Sequence, residues 1–582
     1  MVGALKLLPC KRSEIEERGW DHVDIVLVTG DAYVDHPSFG IAIIGRWLES
    51  HGFKVAILSQ PRHDTPEDFK RFGRPRLFFG ISSGNLDSIV ANYTGNARVR
   101  DKDMYSPYGN PYWGQEKTRV NRRRPDRACI RYTNLAKAAW PGVPVILGGI
   151  EASLRRFIHY DYQQERLRSS ILIDAKADLI VYGIGERAVL EVAQRLSRGR
   201  SLSHIAGTCE RLTEKMLSER MGLQPIKRLP SWQEMGEKNS RFLDAELEID
   251  AQSRSCRPEV LIQRQRGGLY LWQNVPARPL SSRELDSLYE LPFSRSAHPD
   301  FPRVPALEMI RHSITIVRGC CGNCSFCAIA RHQGPVVVSR SQDSIVKEVK
   351  QVADMPDFRG TISDLGGPTA NLFGARCKRT DKCSRRDCLF PRLCRHLHLE
   401  EGYFLSLLEK VEIIDGVKHL FISSGLRMDL LLKTPRLFKK ILRDHTPGML
   451  KIAPEHTEDQ VLSLMHKPGG RILKEFLEMF RTEEKDNGKV LSLSAYFMTS
   501  HPGCNMEHME MMKRRLLRLK LPIRQFQDFT PTPGTLSTAM YVTGLDRYRK
   551  RPIYVAKKRR QRMAQRRVLE SLMRRTRRGD GA

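Results

Sequence analysis

The sequence predicts an α/β protein in two parallel-sheet parts, a Rossmann-like N-terminal domain followed by a partial (β/α)6 TIM-type barrel. Three features predict it. Nearly all-apolar runs alternate with amphipathic helical stretches through the first 200 residues, and six more apolar strands with helix-length spacers follow residue 312. The polar residues of those six strands gather at their carboxyl ends, where parallel α/β folds build their sites.

In the first part, HVDIVLVTG, the amphipathic GIAIIGRWLESHG, FKVAILSQP and RPRLFFGIS give a βαβ rhythm, each strand apolar and ending in Gly, Ser or Thr. VPVILGGIEASLRR and ADLIVYGIGERAVLEVAQRL repeat strand, glycine turn and helix, so the sheet is expected to end near residue 200. Residues 95–128, with NRRRPDR, read as a polar insertion. Residues 201–311 read as a connecting, wrapping region with an edge strand at GGLYLWQNVPARPL and a short helix at RELDSLYEL. The partition is therefore 1–200, 201–311, 312–546 for the barrel, and 547–582 as a basic C-terminal tail.

A chain of 582 residues with 40% apolar content buries a large core. No apolar run approaches the roughly 20 residues that span a bilayer, and the start turns charged too soon for a signal peptide. Eight of the 13 cysteines fall within residues 320–394, which suits a reducing, cytoplasmic setting. The net charge is +31, and residues 547–578 hold 15 Lys and Arg against Glu570, so 15 − 1 = +14 lies there. That stretch suits a basic helix lying along RNA, an acidic partner or anionic lipid, or else a solvated tail.

The barrel strands are ITIVRGC, GTISDLGG, HLFISSGLR, GMLKIAPEH, KVLSLSAYFMTSHPG and IRQFQDFTP. The first runs into a loop carrying Cys320, Cys324 and Cys327 at the spacing C-x3-C-x2-C. Three thiolates suit a [4Fe–4S] cluster with one iron left open, since such a cluster ordinarily takes four cysteines. A zinc knuckle is the alternative, with Cys321 replacing Cys320 to give two C-x2-C steps, but zinc takes four closed ligands; Cys321 is assigned to packing. A second set, Cys377, Cys383, Cys388 and Cys394, with His396 and His398 after it, is compatible with zinc, an auxiliary iron–sulfur cluster or unmetallated thiols. At the other strand ends stand Gly366, Gly367 and Pro368, then Ser423, Ser424 and Arg427, then Glu455, and near the open face His501, Asp528 and Thr530.

The order Cys320, Cys324, aromatic Phe326, Cys327 is similar to the signature of the radical S-adenosylmethionine (SAM) enzymes, in which the amino and carboxylate groups of SAM chelate the fourth iron. GGIEAS and YGIGERAV resemble the cobalamin-binding-like domain that precedes many such cores. GDAYVDHPSFG, RPRLFFG, GGIEASLRR, HYDYQ, DAKADL, the cysteine motif, DLGGPTAN, IAPEHT and QDFTPTPGT, in that order over residues 8–546, resemble the uncharacterised YgiQ-type radical SAM proteins. The resemblance implies a radical SAM barrel, a [4Fe–4S] cluster, SAM, and a low-potential donor of flavodoxin or ferredoxin type. It implies SAM contacts from Phe326, from Gly366 and Gly367 in place of Gly-Gly-Glu, and from Ser423, Ser424, Arg427 and Glu455. The Asp-x-His-x-x-Gly pattern of a histidine-ligated cobalamin is replaced by Asp35, His36 and Gly40 at the wrong spacing, so a sheet without cobalamin is expected. The reading is a radical SAM enzyme generating a 5′-deoxyadenosyl radical for an unknown substrate, with RNA as one substrate class. The alternative is a basic RNA-binding protein with a structural or redox-sensing cluster.

Overall fold

The computed structural model describes residues 6–222, 224–379, 383, 387–487 and 492–578. In its N-terminal half five parallel strands stand side by side in the order Val55–Ser59, Ile25–Thr29, Phe78–Ile81, Val145–Leu147, Leu179–Val181. All but Gly80 are buried, as strands covered on both faces must be. Alternation decides which face each residue serves. Ile25 and Leu27 pack with Ala42, Leu48 and Val192 of the helices Gly40–Ser50 and Glu186–Ser197, while Val26 and Val28 pack with Tyr132 and Ala136 of Ala128–Ala139.

The sheet does not end near residue 200. Thr208–Leu212 adds antiparallel to Leu179–Val181, and Tyr270–Gln273, Val260–Arg264 and Ile226–Leu229 follow it, so nine strands form one sheet. Tyr270–Gln273, expected at an edge, lies inside with Trp272 fully buried. The outermost strand, IKRL, buries only Leu229, which is why apolar periodicity fades there. The expectation for residues 95–128 is corrected as well. Arg122 and Arg124 are buried, and Arg124 pairs with Asp31 and, at 3.1 Å, with Asp103, while its Nε donates to the Ser83 carbonyl at 3.1 Å. Partners distant in sequence make that burial tolerable.

In the C-terminal half each predicted strand pairs in parallel with the next. Ser313–Thr315 pairs with Asp364–Gly366, Thr361–Ile362 with His419–Leu420, and Leu426 bridges to Ile452; Met449–Glu455 pairs with Ser492–Thr499, and that with Ile523–Asp528. The expected start of the fifth strand at 489–491 lies outside the described residues. Ile314, Ile362, Leu420, Ile452, Phe497 and Ile523 share one core with the flanking helices, among them Gln342–Ala353 and Glu401–Glu412. No helix among the described residues is long and apolar enough to cross a membrane.

Residues 547–578 are not a free tail. Helix Arg559–Arg578 packs against Ile523–Asp528 and Met506–Arg518, with Gln565, Val568, Leu569 and Leu572 buried at the i, i+3, i+4, i+7 spacing of an amphipathic helix. Gln565 accepts from the Ser500 N–H at 2.8 Å and donates to the Cys504 carbonyl at 2.7 Å, and Arg566 pairs with Asp528 at 3.0 Å. The charge count masks this stripe; residues 579–582 lie outside the described residues. Leu569→Ala should therefore cost about 2–5 kcal/mol, and exposed Arg559→Ala less than about 0.5 kcal/mol, measured by urea unfolding.

Candidate functional site

The cysteine loop is shaped by backbone constraints before any metal is considered. Gly319 has φ +78°, and a Cβ there would overlap the Val336 carbonyl, so only glycine fits. The Cys320 N–H donates to the Gly334 carbonyl at 3.1 Å, and the Cys327 N–H donates to the Cys324 carbonyl at 3.1 Å just before helix Ala328–Gln333. Ser325 ties the loop to three distant segments: its N–H donates to the Met465 carbonyl, its carbonyl accepts from the Ser537 N–H, and its Oγ accepts from Arg547 at 2.6 Å. Buried Asp250, from the region read as a connector, holds Arg331 of the following helix at 2.5 Å.

Burial pushes the Cys327 thiol up to about 12 and raises Cys324 as well, so a bound cation is what would keep these sulfurs as thiolates. Arg427 Nη1 lies 3.8 Å from Cys324 Sγ while its other nitrogens grip Asp429 at 2.8 and 3.1 Å. Among the described residues, Glu412, Asp444 and His445 form the group of three whose ligand atoms all lie within 4.8 Å of one another, and Lys440 already bridges the two carboxylates. Cys320, Cys324 and Cys327 form no such group. Three sulfurs on one zinc, each about 2.3 Å from it, would stand about 3.8 Å apart, whereas a multi-iron cluster spreads its ligands more widely.

The strand-end residues fall into two kinds. A Cβ on Gly366 would overlap Asp364 and Ser424, and one on Gly367 would lie 2.6 Å from the Val317 carbonyl, so both glycines serve close backbone approach. Asp364 Oδ1 accepts from the Ser423 and Ser424 N–H groups at 2.8 and 3.0 Å, and Ser424 Oγ donates to Oδ2. Ser423 Oγ donates to the Ser363 carbonyl, so its hydroxyl serves the backbone. Burial raises the Asp364 pKa despite these donors. Glu455 is buried, sits at φ +68° and has a buried Oε2 without a hydrogen-bond partner among the described residues; burial raises its pKa too, against the pull of Lys467, 3.6 Å away. Such a conformation for a non-glycine residue persists only where the surroundings hold it. Phe326 meets His501 edge-on at 6.3 Å, and both nitrogens of His501 are engaged, by Ser537 and the Pro502 carbonyl. Sequence reasoning missed Asp364, Asp429 and Lys467, which no spacing rule ties to the cysteines.

In the second cysteine set, Cys394 is buried and its N–H donates to the Cys388 carbonyl at 2.8 Å. Cys377 stands in strand Arg376–Cys377, paired with Leu397–His398. Cys383 is described alone, with 380–382 and 384–386 outside the described residues. Cys321 packs with Leu372, Leu389 and Leu430 as expected, and its thiol also hydrogen-bonds that of Cys388.

Between the carboxyl ends of the N-terminal sheet and the strand ends of the barrel lies a cavity of about 860 Å³. Thr29, Asp31, Asn85 and Glu186 line it from one side and Arg318, His332, Gly367 and Ser424 from the other. His36 is not in its wall: the ring is fully buried, Nδ1 accepts from the Ser38 N–H at 3.0 Å, and Nε2 lies 3.0 Å from Arg295 Nη1. Burial pushes His332 down to about 4, so it is neutral at pH 7. Burial pushes Asp31 up to about 6, against the lowering pull of Arg124 and with Asp103 adding to the rise. A carboxyl with a raised folded pKa binds its proton more tightly in the native state, so its stabilising share is present below about pH 4 and is lost as pH rises through about 6. Asp31→Asn should therefore gain stability relative to wild type between pH 4 and pH 7, read from paired urea titrations; a constant difference would show that Asp31 does not titrate there.

Residues 7–313 match the family described as Radical SAM N-terminal, and residues 314–516 match the Radical SAM superfamily. A UPF0313 protein of Thermotoga neapolitana is 46% identical over 556 residues, covering 94% of this chain and 95% of that protein. A UPF0313 protein of Geobacter sulfurreducens is 45% identical over 572 residues, covering 97% and 92%. Among solved structures, the radical S-adenosylmethionine methyltransferase TsrM from Kitasatospora setae, with cobalamin and a [4Fe–4S] cluster bound, is similar with a TM-score of 0.49 and 14% identity, covering 88% of this chain and 76% of that one.

Proposed function

The chain belongs to the UPF0313, YgiQ-type family of radical SAM enzymes, and from that membership we propose that Cys320, Cys324 and Cys327 hold a [4Fe–4S] cluster whose open iron takes SAM. The observation that carries this reading is the cysteine loop: three sulfurs at the end of the first barrel strand, spread wider than ligands of one zinc, with a guanidinium beside Cys324. When bound and reduced by a flavodoxin- or ferredoxin-type donor, the cluster supplies the electron that splits SAM into methionine and a 5′-deoxyadenosyl radical. The chain's own residues bind and position. Arg427 and Lys467 place positive charge beside sulfurs that must be anionic. Gly366 and Gly367 let the chain approach the methionine part, Asp364 fixes the Ser423–Ser424 turn, the unpartnered Oε2 of Glu455 accepts from a ribose hydroxyl, and Phe326 supplies an apolar wall.

The six parallel strands are read as a partial (β/α)6 barrel, closed on one flank by helix Arg559–Arg578. A histidine-ligated cobalamin does not fit this chain, because both nitrogens of His36 are engaged and Asp35 is locked to Arg46 at 2.7 and 3.1 Å. None of Cys377, Cys383, Cys388 and Cys394 lines the cavity, so a second metal held by them, zinc or iron–sulfur, would stand outside it. The RNA-binding alternative rests on the charge of the basic helix alone, whose apolar face is packed in the core. We place the enzyme in the reducing cytoplasm, as the clustering of eight cysteines within residues 320–394 suggests.

Anaerobic reconstitution with iron and sulfide should give a reducible cluster that converts SAM to 5′-deoxyadenosine. Alanine at Cys320, Cys324 and Cys327 together should abolish iron binding and lower turnover at least a hundredfold, while Cys321→Ala should retain at least half of each. Turnover surviving the triple substitution would end the proposal.

A further inference from the structure

The cavity between the two halves restricts the chemistry of what it admits. Of the chain's 97 Lys and Arg residues, one, Arg318, lines it among the described residues. Its guanidinium is already engaged, Nη1 donating to Glu186 Oε1 at 2.6 Å and Nε to the Tyr289 hydroxyl at 3.0 Å. Asp31 is likewise committed, to Arg124 and to the Asn85 N–H and amide at 2.7 and 3.0 Å. A phosphate or carboxylate entering here would lose its hydration and meet a single cation whose charge Glu186 already balances. The remaining wall is largely apolar, with Ile41, Ile44, Phe78 and Ile146 on the sheet side. One polar atom stands out: Oε2 of Glu186 is buried, in a residue of the cavity wall, with no hydrogen-bond partner among the described residues. A buried oxygen of this kind calls for a donor.

We propose that this cavity is the substrate pocket and that it takes a neutral, predominantly apolar small molecule that donates an O–H or N–H to Glu186 Oε2. The proposal rests on the radical SAM reading, because the pocket reaches Gly367, Pro368 and Ser424 at the barrel rim, where a ligand C–H would face the SAM site. Phosphorylated metabolites and nucleic acids are excluded as occupants, although the chain as a whole is strongly basic.

The test uses three fluorescent probes of one skeleton on the full chain: 1-aminoanthracene, neutral with a donor; 1-methylanthracene, neutral without one; and 1-anthracenecarboxylate, anionic. Wild type should bind the amine at least tenfold more tightly than the other two. Glu186→Gln keeps an oxygen for Arg318 and turns an NH2 toward the ligand, so it should erase the amine's advantage. Gly148→Leu should weaken the amine at least tenfold, because the glycine lines the cavity, has an extended backbone, and a Cβ there meets nothing nearer than the Val181 carbonyl at 4.0 Å. Equal or tighter binding of the carboxylate, no saturable binding of the amine, or an unchanged affinity in a Gly148→Leu protein with wild-type circular dichroism would each overturn the proposal. Assayed beside it, SAM cleavage separates the two claims. Cleavage with the wrong probe order removes the pocket assignment alone, and the right probe order without cleavage removes the radical reading and leaves a binding pocket.

Discussion

The rest of the structure depends on the parallel strands of the N-terminal sheet and those of the barrel meeting with their carboxyl ends face to face, and the Glu186–Arg318 ion pair is one contact that joins them. Glu186 opens the helix after the fifth strand of the N-terminal sheet, and Arg318 stands two residues before Cys320. Desolvation offsets much of what a buried pair gains in Coulomb energy, so such a pair fixes position more than it adds stability. Around it, Trp47 donates to the Glu186 carbonyl at 3.0 Å, and His332 shares a hydrogen bond of 3.0 Å with Ser153. The strand that feeds the cysteine loop is thereby tied to the opposite sheet, and the cavity is a consequence of that registration.

The cysteine loop is held from outside its own sequence. Ser325 is bonded to segments at 465, 537 and 547, and Arg331 to Asp250 in the N-terminal half. A loop with few apolar side chains cannot hold three thiols in place by packing, and these polar ties do so instead. They also explain why the segment after residue 200 is part of the sheet and not a linker: the helix Ser240–Ser253 must present Asp250 at a defined place, and strands on either side of it in the sequence anchor it.

What the sequence made legible was what local chemistry writes. Buried parallel strands are continuous apolar runs, a cluster loop needs its cysteines close in sequence, and close backbone approach needs glycine, so the sheet, the motif and Gly366–Gly367 could all be read directly. Arg427 was assigned to SAM by resemblance of strand ends; its Nη1 lies 3.8 Å from Cys324 Sγ, a contact that the strand-end reading did not give. What could not be read depends on partners far apart. Arg124 looks solvent-facing until Asp31 and Asp103 converge on it, Asp364 looks like one strand residue among others until the Ser423 and Ser424 N–H groups meet it, and Leu569 looks incidental within a run of arginines until the barrel wall covers it.

The distribution of charge follows from the same geometry. A chain with a net charge of +31 would be expected to carry its cations to the site if the site handled anions. Instead, Arg318 apart, its described basic residues lie outside the cavity lining, several in buried pairs, as with Arg124 and Asp31, Arg155 and Asp87, and Arg340 and Glu348. The positive surface and the neutral interior therefore answer to different demands. The surface sets non-specific attraction and solubility, while the interior, as the proposed substrate pocket, would set which C–H bond can be brought to the barrel rim.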